Sequence, residues 1–150
     1  MPVSSMVVSK ITEFWRLWRN VIGPRTPTPP DTGLAGAPVR QRIKTYSAES
    51  GYVYQHVYRG YRNKDAAREF VFSVSSQPGR WDSLTVRLGD AVITEWERGN
   101  LRVLTSTQKY AVAKMAMFHL LDETAGTPGH LEIALDLSAV EKYLEHLQIA

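Results

Sequence analysis

The hydrophobic residues change period at Gly89, and that change constrains the fold more than any other feature of the chain. Upstream, apolar and polar side chains alternate with the two-residue period of strands; downstream, apolar residues recur at three and four, as on helices. Residues 39–47, VRQRIKTYS, place Val39 and Ile43 on one side and Arg40, Arg42, Lys44 and Tyr46 on the other, the pattern of a half-buried strand. After the turn AESG, the run YVYQHVYRGYR is rich in Tyr and Val. After NKDAA, the run REFVFSVSS sets Phe70, Phe72 and Val74 on one face. Both compositions favour strands. SQPGRWD breaks the chain again, and SLTVRL predicts a short fourth strand with Leu84, Val86 and Leu88 inward.

Beyond Gly89, Asp90 is placed to cap a helix reaching Arg98, with Gly99 as its stop. A longer helix is predicted over 106–123, capped by Thr105 or Ser106. It turns Tyr110, Ala113, Met117, Leu120 and Leu121 inward and is apolar around much of its circumference, as suits a helix lying across a sheet. HLEIAL predicts one more short strand. DLSAVEKYLEHLQ predicts a final helix, with Ser138 and Glu141 at the spacing of a capping box. Strands first and helices after is the order of an α+β domain. The expected fold is an antiparallel meander of three to five strands, packed by a long apolar helix and a C-terminal helix.

Two segments precede this domain, which the pattern assigns to residues 39–150. Residues 24–38, PRTPTPPDTGLAGAP, hold five of the eight prolines and two glycines, the composition of an extended linker. Residues 1–23 contain a predicted amphipathic helix over 5–22, with Val7, Ile11, Phe14, Trp15, Trp18, Val21 and Ile22 on one side. Arg16 and Arg19 stand among the polar residues opposite. Such a helix is a docking element, and Ile11, Phe14, Trp15, Arg16, Trp18, Arg19, Val21 and Ile22 are its candidate partner-binding residues. It has three places to go: back onto its own domain, into a groove on a partner protein, or into a membrane interface, which Trp and the cations Lys10, Arg16 and Arg19 favour.

The chain has no cysteine, which excludes disulfides, thiolate metal sites and thiol nucleophiles. No run of apolar residues is long enough to span a bilayer, and the first 22 residues lack the order of a signal peptide. The expectation is a cytoplasmic protein, or one held at the cytoplasmic face of a membrane by residues 5–22. Charge is unevenly spread. Residues 39–80 carry eight Lys or Arg against three acids, whereas residues 81–150 carry six against ten, so one part of the surface should attract anions.

No sequence motif brings catalytic chemistry. His56, His119, His130 and His146 lie on four different segments without metal-ligand spacing. Glu95, Glu97, Asp122 and Glu123 flank helices as solvated carboxylates do, and no nucleophile elbow, P-loop or dinucleotide fingerprint accompanies them. No catalytic residue, metal or cofactor is therefore assigned. The favoured expectation is a non-enzymatic adaptor or accessory subunit, docked to a larger protein assembly through its N-terminal helix. The alternative is a single-stranded nucleic-acid-binding module that uses Tyr52, Tyr54 and Tyr58 for stacking and Arg40, Arg42, Lys44, Arg59 and Arg62 for phosphates. An enzyme with a carboxylate site ranks below both.

Overall fold

The computed structural model describes residues 33–149. The predicted helix over 5–22 and most of the linker lie outside the described residues. The element order is β1 (Lys44–Ser47), β2 (Val53–Lys64), β3 (Ala67–Gln77), β4 (Arg80–Gly89), α1 (Asp90–Asn100), α2 (Ser106–Glu123), β5 (Leu131–Leu135) and α3 (Leu137–His146). The five strands form one sheet in sequence order. β1 to β4 are an antiparallel meander, and the domain is α+β.

The alternation read in the sequence builds the core. Phe70, Phe72 and Val74 of β3 and Leu84, Val86 and Leu88 of β4 are all buried on one face. Against them lie Ile93 and Trp96 of α1, Val112, Ala113, Ala116, Met117 and Leu121 of α2, and Val140, Tyr143 and Leu144 of α3. One apolar cluster thus joins all three described helices to a single side of the sheet. The α2 boundaries fall where the sequence puts them. Thr105 accepts a hydrogen bond from the Gln108 amide at 3.1 Å, and the Gln108 side chain accepts from the Thr105 amide at 3.0 Å, a reciprocal capping box.

Several expectations are corrected. The meander does not extend to β5, which runs parallel to β4; α1 and α2 together form the crossover that a parallel neighbour requires. The first strand begins only at Lys44, and Val39 is fully exposed. Upstream of β1 the backbone pairs with β2 at Ala35, which exchanges 2.8 Å hydrogen bonds with Tyr61, and the Gln41 side chain accepts from Arg59 of β2 at 2.7 Å. At Arg59, between Tyr58 and Gly60, the register of β2 and β3 shifts. Gly89, not Asp90, is the N-cap of α1, and the helix passes Gly99 to end on a left-handed Leu101. The cap of α3 is Asp136, which accepts from the Ala139 amide at 2.8 Å; Ser138 already lies inside the helix, so its predicted capping box does not form.

The β2–β3 hairpin turns on Asp65 and Ala66, with φ of 50° and 55°. Positive φ at both central residues matches the twist of a two-residue hairpin, and the β-carbon of alanine is penalised there. Replacing Ala66 with Gly is expected to raise stability by about 1 kcal/mol in a urea titration, after the greater freedom of glycine in the unfolded chain is subtracted.

Candidate functional site: a basic trough beside the long helix

β2 carries Tyr54, His56 and Tyr58 on its inner face, beneath α2. Tyr54 is completely buried and donates through its hydroxyl to the carbonyls of Thr124 and Gly126, at 3.0 and 2.9 Å. Burial raises its pKa to about 12. The His56 ring meets Phe118 edge-on at 5.3 Å, and Tyr58 packs on Tyr110 at 4.6 Å and on Phe72 at 5.3 Å. The tyrosine row is therefore an inner face and not an open stacking platform, and Tyr54 is withdrawn from the predicted nucleic-acid surface. Alternating Tyr and Val made the two faces of this strand look alike.

Two of the predicted cations are also engaged elsewhere. Arg59 is buried and donates to the Gln41 side chain at 2.7 Å. Arg62 pairs with Glu69 at 2.7 Å, and Arg87 pairs with the same carboxylate at 3.0 Å. Burial alone would raise the Glu69 pKa, but the two guanidiniums outweigh it and hold the carboxyl below its ordinary range. Tyr52 tilts against Tyr54 at 6.4 Å and lines neither of the two cavities described next.

What stays together is a trough along the N-terminal half of α2. Two adjoining cavities of about 370 and 170 Å³ share Pro38, Tyr58 and Tyr110. Arg40, Arg42, Lys44 and His56 line the smaller, and Arg68, Tyr61 and Gly36 line the larger. Lys114 lies beside them, 6.0 Å from the ring centroid of Tyr110, which lines both cavities, and 5.7 Å from that of Phe118. Arg68 lies 4.0 Å over Tyr61. Among the described residues, none that lines either cavity is acidic. Among the described residues no carboxylate comes within 4.0 Å of the charged groups of Arg40, Arg42, Lys44, Arg68 or Lys114.

Repulsion within this group leaves its mark. Burial lowers the Lys114 pKa, and the positive charge of neighbouring Lys44 lowers it further. Two ammonium groups have six donors and no acceptor between them, so such a pair is satisfied by an anion or by water. Sequence reading had placed Arg40, Arg42, Lys44 and Tyr58 here. It missed the role of Lys114, which it left unassigned, and of Tyr110, which it assigned to the core of α2. The available signal was a single lysine spaced four residues from each of two aromatics, Tyr110 and Phe118, within an apolar helix.

His56 responds to the same field. Burial, then Lys114 and Lys44, push its pKa down to about 4. The folded protein refuses a proton that the unfolded chain accepts below about pH 6.5, so the stability present above pH 6.5 is lost as pH falls towards 4. The expected loss across that window is about 3 kcal/mol in urea midpoint measurements, and His56→Gln should flatten the profile.

A larger cavity of about 660 Å³ opens between α2, α3 and β1, lined by Tyr46, His119, Asp122, Lys142, Tyr143 and His146 among others. Its charges are mixed. Asp122 accepts from the Tyr46 hydroxyl at 2.7 Å and the Glu49 amide at 2.9 Å, and His119 reaches Glu123 at 3.1 Å. Asp122 thereby ties β1 and its turn to α2, so this carboxylate is occupied as a brace. Glu97 likewise holds the loop after α1, accepting from the Leu104 amide at 2.7 Å. Among the described residues no group of three His, Asp or Glu side chains is placed to hold a metal, and no helix is long and apolar enough to cross a membrane. The chain matches no family model, no curated protein and no solved structure.

Proposed function

We propose that this protein is a non-enzymatic accessory module whose trough holds a stretch of single-stranded nucleic acid by its phosphates. The observation that carries this reading is the set of five cations, Arg40, Arg42, Lys44, Arg68 and Lys114, gathered around Tyr58 and Tyr110 without a carboxylate among the described residues. A groove that tracks a backbone with cations and offers aromatic rings beside it suits a flexible polyanion with planar groups. The rings are half-buried, so most of the affinity comes from the phosphates, and the binding is weak and indifferent to base sequence. The site is rebuilt relative to the sequence expectation: Arg40, Arg42, Lys44 and Tyr58 remain, Arg68, Tyr110 and Lys114 join them, and Tyr52, Tyr54, Arg59 and Arg62 leave.

The test is an anisotropy titration with a labelled single-stranded oligonucleotide of about 12 nucleotides, within the length such grooves occupy. A duplex of the same sequence and a polyglutamate peptide serve as competitors. Displacement by single strands of any sequence is expected. Displacement by polyglutamate alone would replace this reading with an acidic-peptide site.

A further inference from the structure

The two cavities of the trough are chemically unlike. The smaller holds the cations Arg40, Arg42 and Lys44, whereas four rings, those of Tyr58, Tyr61, Phe70 and Tyr110, line the larger. The irregularity in β2 builds that ring-lined space. In a regular strand Tyr58 and Tyr61, three residues apart, would point to opposite faces. Here the register slips between Tyr58 and Gly60, so that Tyr58 stands opposite Phe72 and Tyr61 opposite Phe70. Both tyrosines therefore fall on the helix side of the sheet. The chain before β1 closes the wall. Ala35 pairs with Tyr61 at 2.8 Å. A β-carbon on Gly60 would meet the Ala35 carbonyl oxygen at 2.6 Å, and one on Gly36 would meet the Tyr61 ring at 2.7 Å. With φ of 122° and 69°, both positions require glycine.

The polar groups of this cavity are unspent. Among the described residues the hydroxyls of Tyr58, Tyr61, Tyr110, Ser106 and Thr107 make no hydrogen bond. Burial, then Tyr110 and Tyr61, raise the Tyr58 pKa, and Arg68 opposes them, so these three hydroxyls and the guanidinium share one space. Arg68 is held from two sides: its Nε donates to the Asn63 side chain at 3.2 Å, and its guanidinium lies 4.0 Å over the Tyr61 ring. The two terminal nitrogens of its fork are left for a ligand.

We propose that the larger cavity receives one unstacked nucleobase, while the phosphate of the same nucleotide sits among Arg40, Arg42 and Lys44 in the smaller. This rests on the nucleic-acid reading of the trough and adds a base to its phosphates. The two cavities share Pro38, Tyr58 and Tyr110 as a common wall, so a ligand that spans them carries a planar group and an anion side by side. Rings offer a base its stacking surface, and a purely apolar ligand would leave the hydroxyls unmet. Hydroxyls donate or accept as they rotate, so the cavity takes a base without choosing which. Its volume of about 370 Å³ lies near the lower end of the roughly 300–1,000 Å³ of ligand pockets, which suits one base and not a stacked run. A paired base enters only by leaving its stack, which is why the trough favours single strands.

The test uses the full-length chain and two strands of about 12 nucleotides. One carries its bases; the other is built from abasic tetrahydrofuran units and keeps every phosphate. The base-bearing strand is expected to bind about tenfold tighter, the worth of one stacked base. An abasic strand with one base at its centre should recover most of that factor. Ser106→Leu with Thr107→Leu, at two exposed positions, fills the larger cavity without adding a ring. With circular dichroism confirming the fold, this variant should bind the base-bearing strand no better than the abasic one. Equal affinity of the unaltered protein for both strands would overturn the base pocket and leave the phosphate reading standing. A preference that grows in step with the number of bases, or that survives the two leucines, would also overturn it, because either marks stacking on the open surface. Failure of both strands to bind would remove the phosphate reading and the base pocket with it.

Discussion

Replacing Lys44 and Lys114 together with methionine is expected to cut affinity for single-stranded oligonucleotide by about 30- to 150-fold while leaving the fold intact. The magnitude follows from two charge-assisted contacts, each discounted for partial exposure to about 1 to 1.5 kcal/mol. Methionine keeps the apolar stem of Lys114 against Tyr110 and Phe118, so packing loss is small. Stability provides the control. The two neighbouring ammonium groups repel each other, and removing both should hold the urea midpoint constant or raise it slightly. A residue pair that served only the fold would show the opposite, a loss of stability with no change in binding.

The second large effect lies beneath the trough. Phe72→Ala is expected to cost about 3–5 kcal/mol, the range for emptying a fully buried aromatic site. Phe72 stands opposite Tyr58 on β2 and Leu84 on β4, is 1% exposed, and packs 5.3 Å from the Tyr58 ring and 6.3 Å from the Tyr110 ring. A loss of that size is a large fraction of the roughly 5–15 kcal/mol by which domains are stable. Because Tyr58 and Tyr110 lean on this ring, the variant should also loosen the trough. Urea unfolding checks the first effect, and oligonucleotide affinity measured well below the unfolding midpoint checks the second. Phe72→Leu, which fills more of the space, should lose less of both.

These two sites differ in how far they could be read from the chain alone. The inner faces of β3 and β4 were legible because Leu84, Val86 and Leu88 alternate with polar residues and because Phe70, Phe72 and Val74 keep a two-residue period even though Val71 interrupts the polar side. α2 was legible to its ends because Thr105 and Gln108 form a reciprocal cap. The direction of β5 was not, since LEIAL pairs equally well either way and only the α1–α2 crossover brings it in parallel to β4. The face of Tyr54 was hidden for a different reason. Both sides of β2 are buried, so the strand lacks the polar side that normally marks solvent. Lys114 was passed over because a lysine in a largely apolar helix reads as solvated until Lys44 is placed beside it.

The central claim is that the five cations form one phosphate-binding surface, and the salt dependence of binding tests it most directly. With four phosphates engaged, log K against log salt should fall with a slope of about −3, or roughly 50-fold weaker binding between 50 and 200 mM salt. Lys44→Met with Lys114→Met should reduce that slope by about 1.4. No detectable binding at the lowest salt, or an unchanged slope in the double variant, would contradict the account.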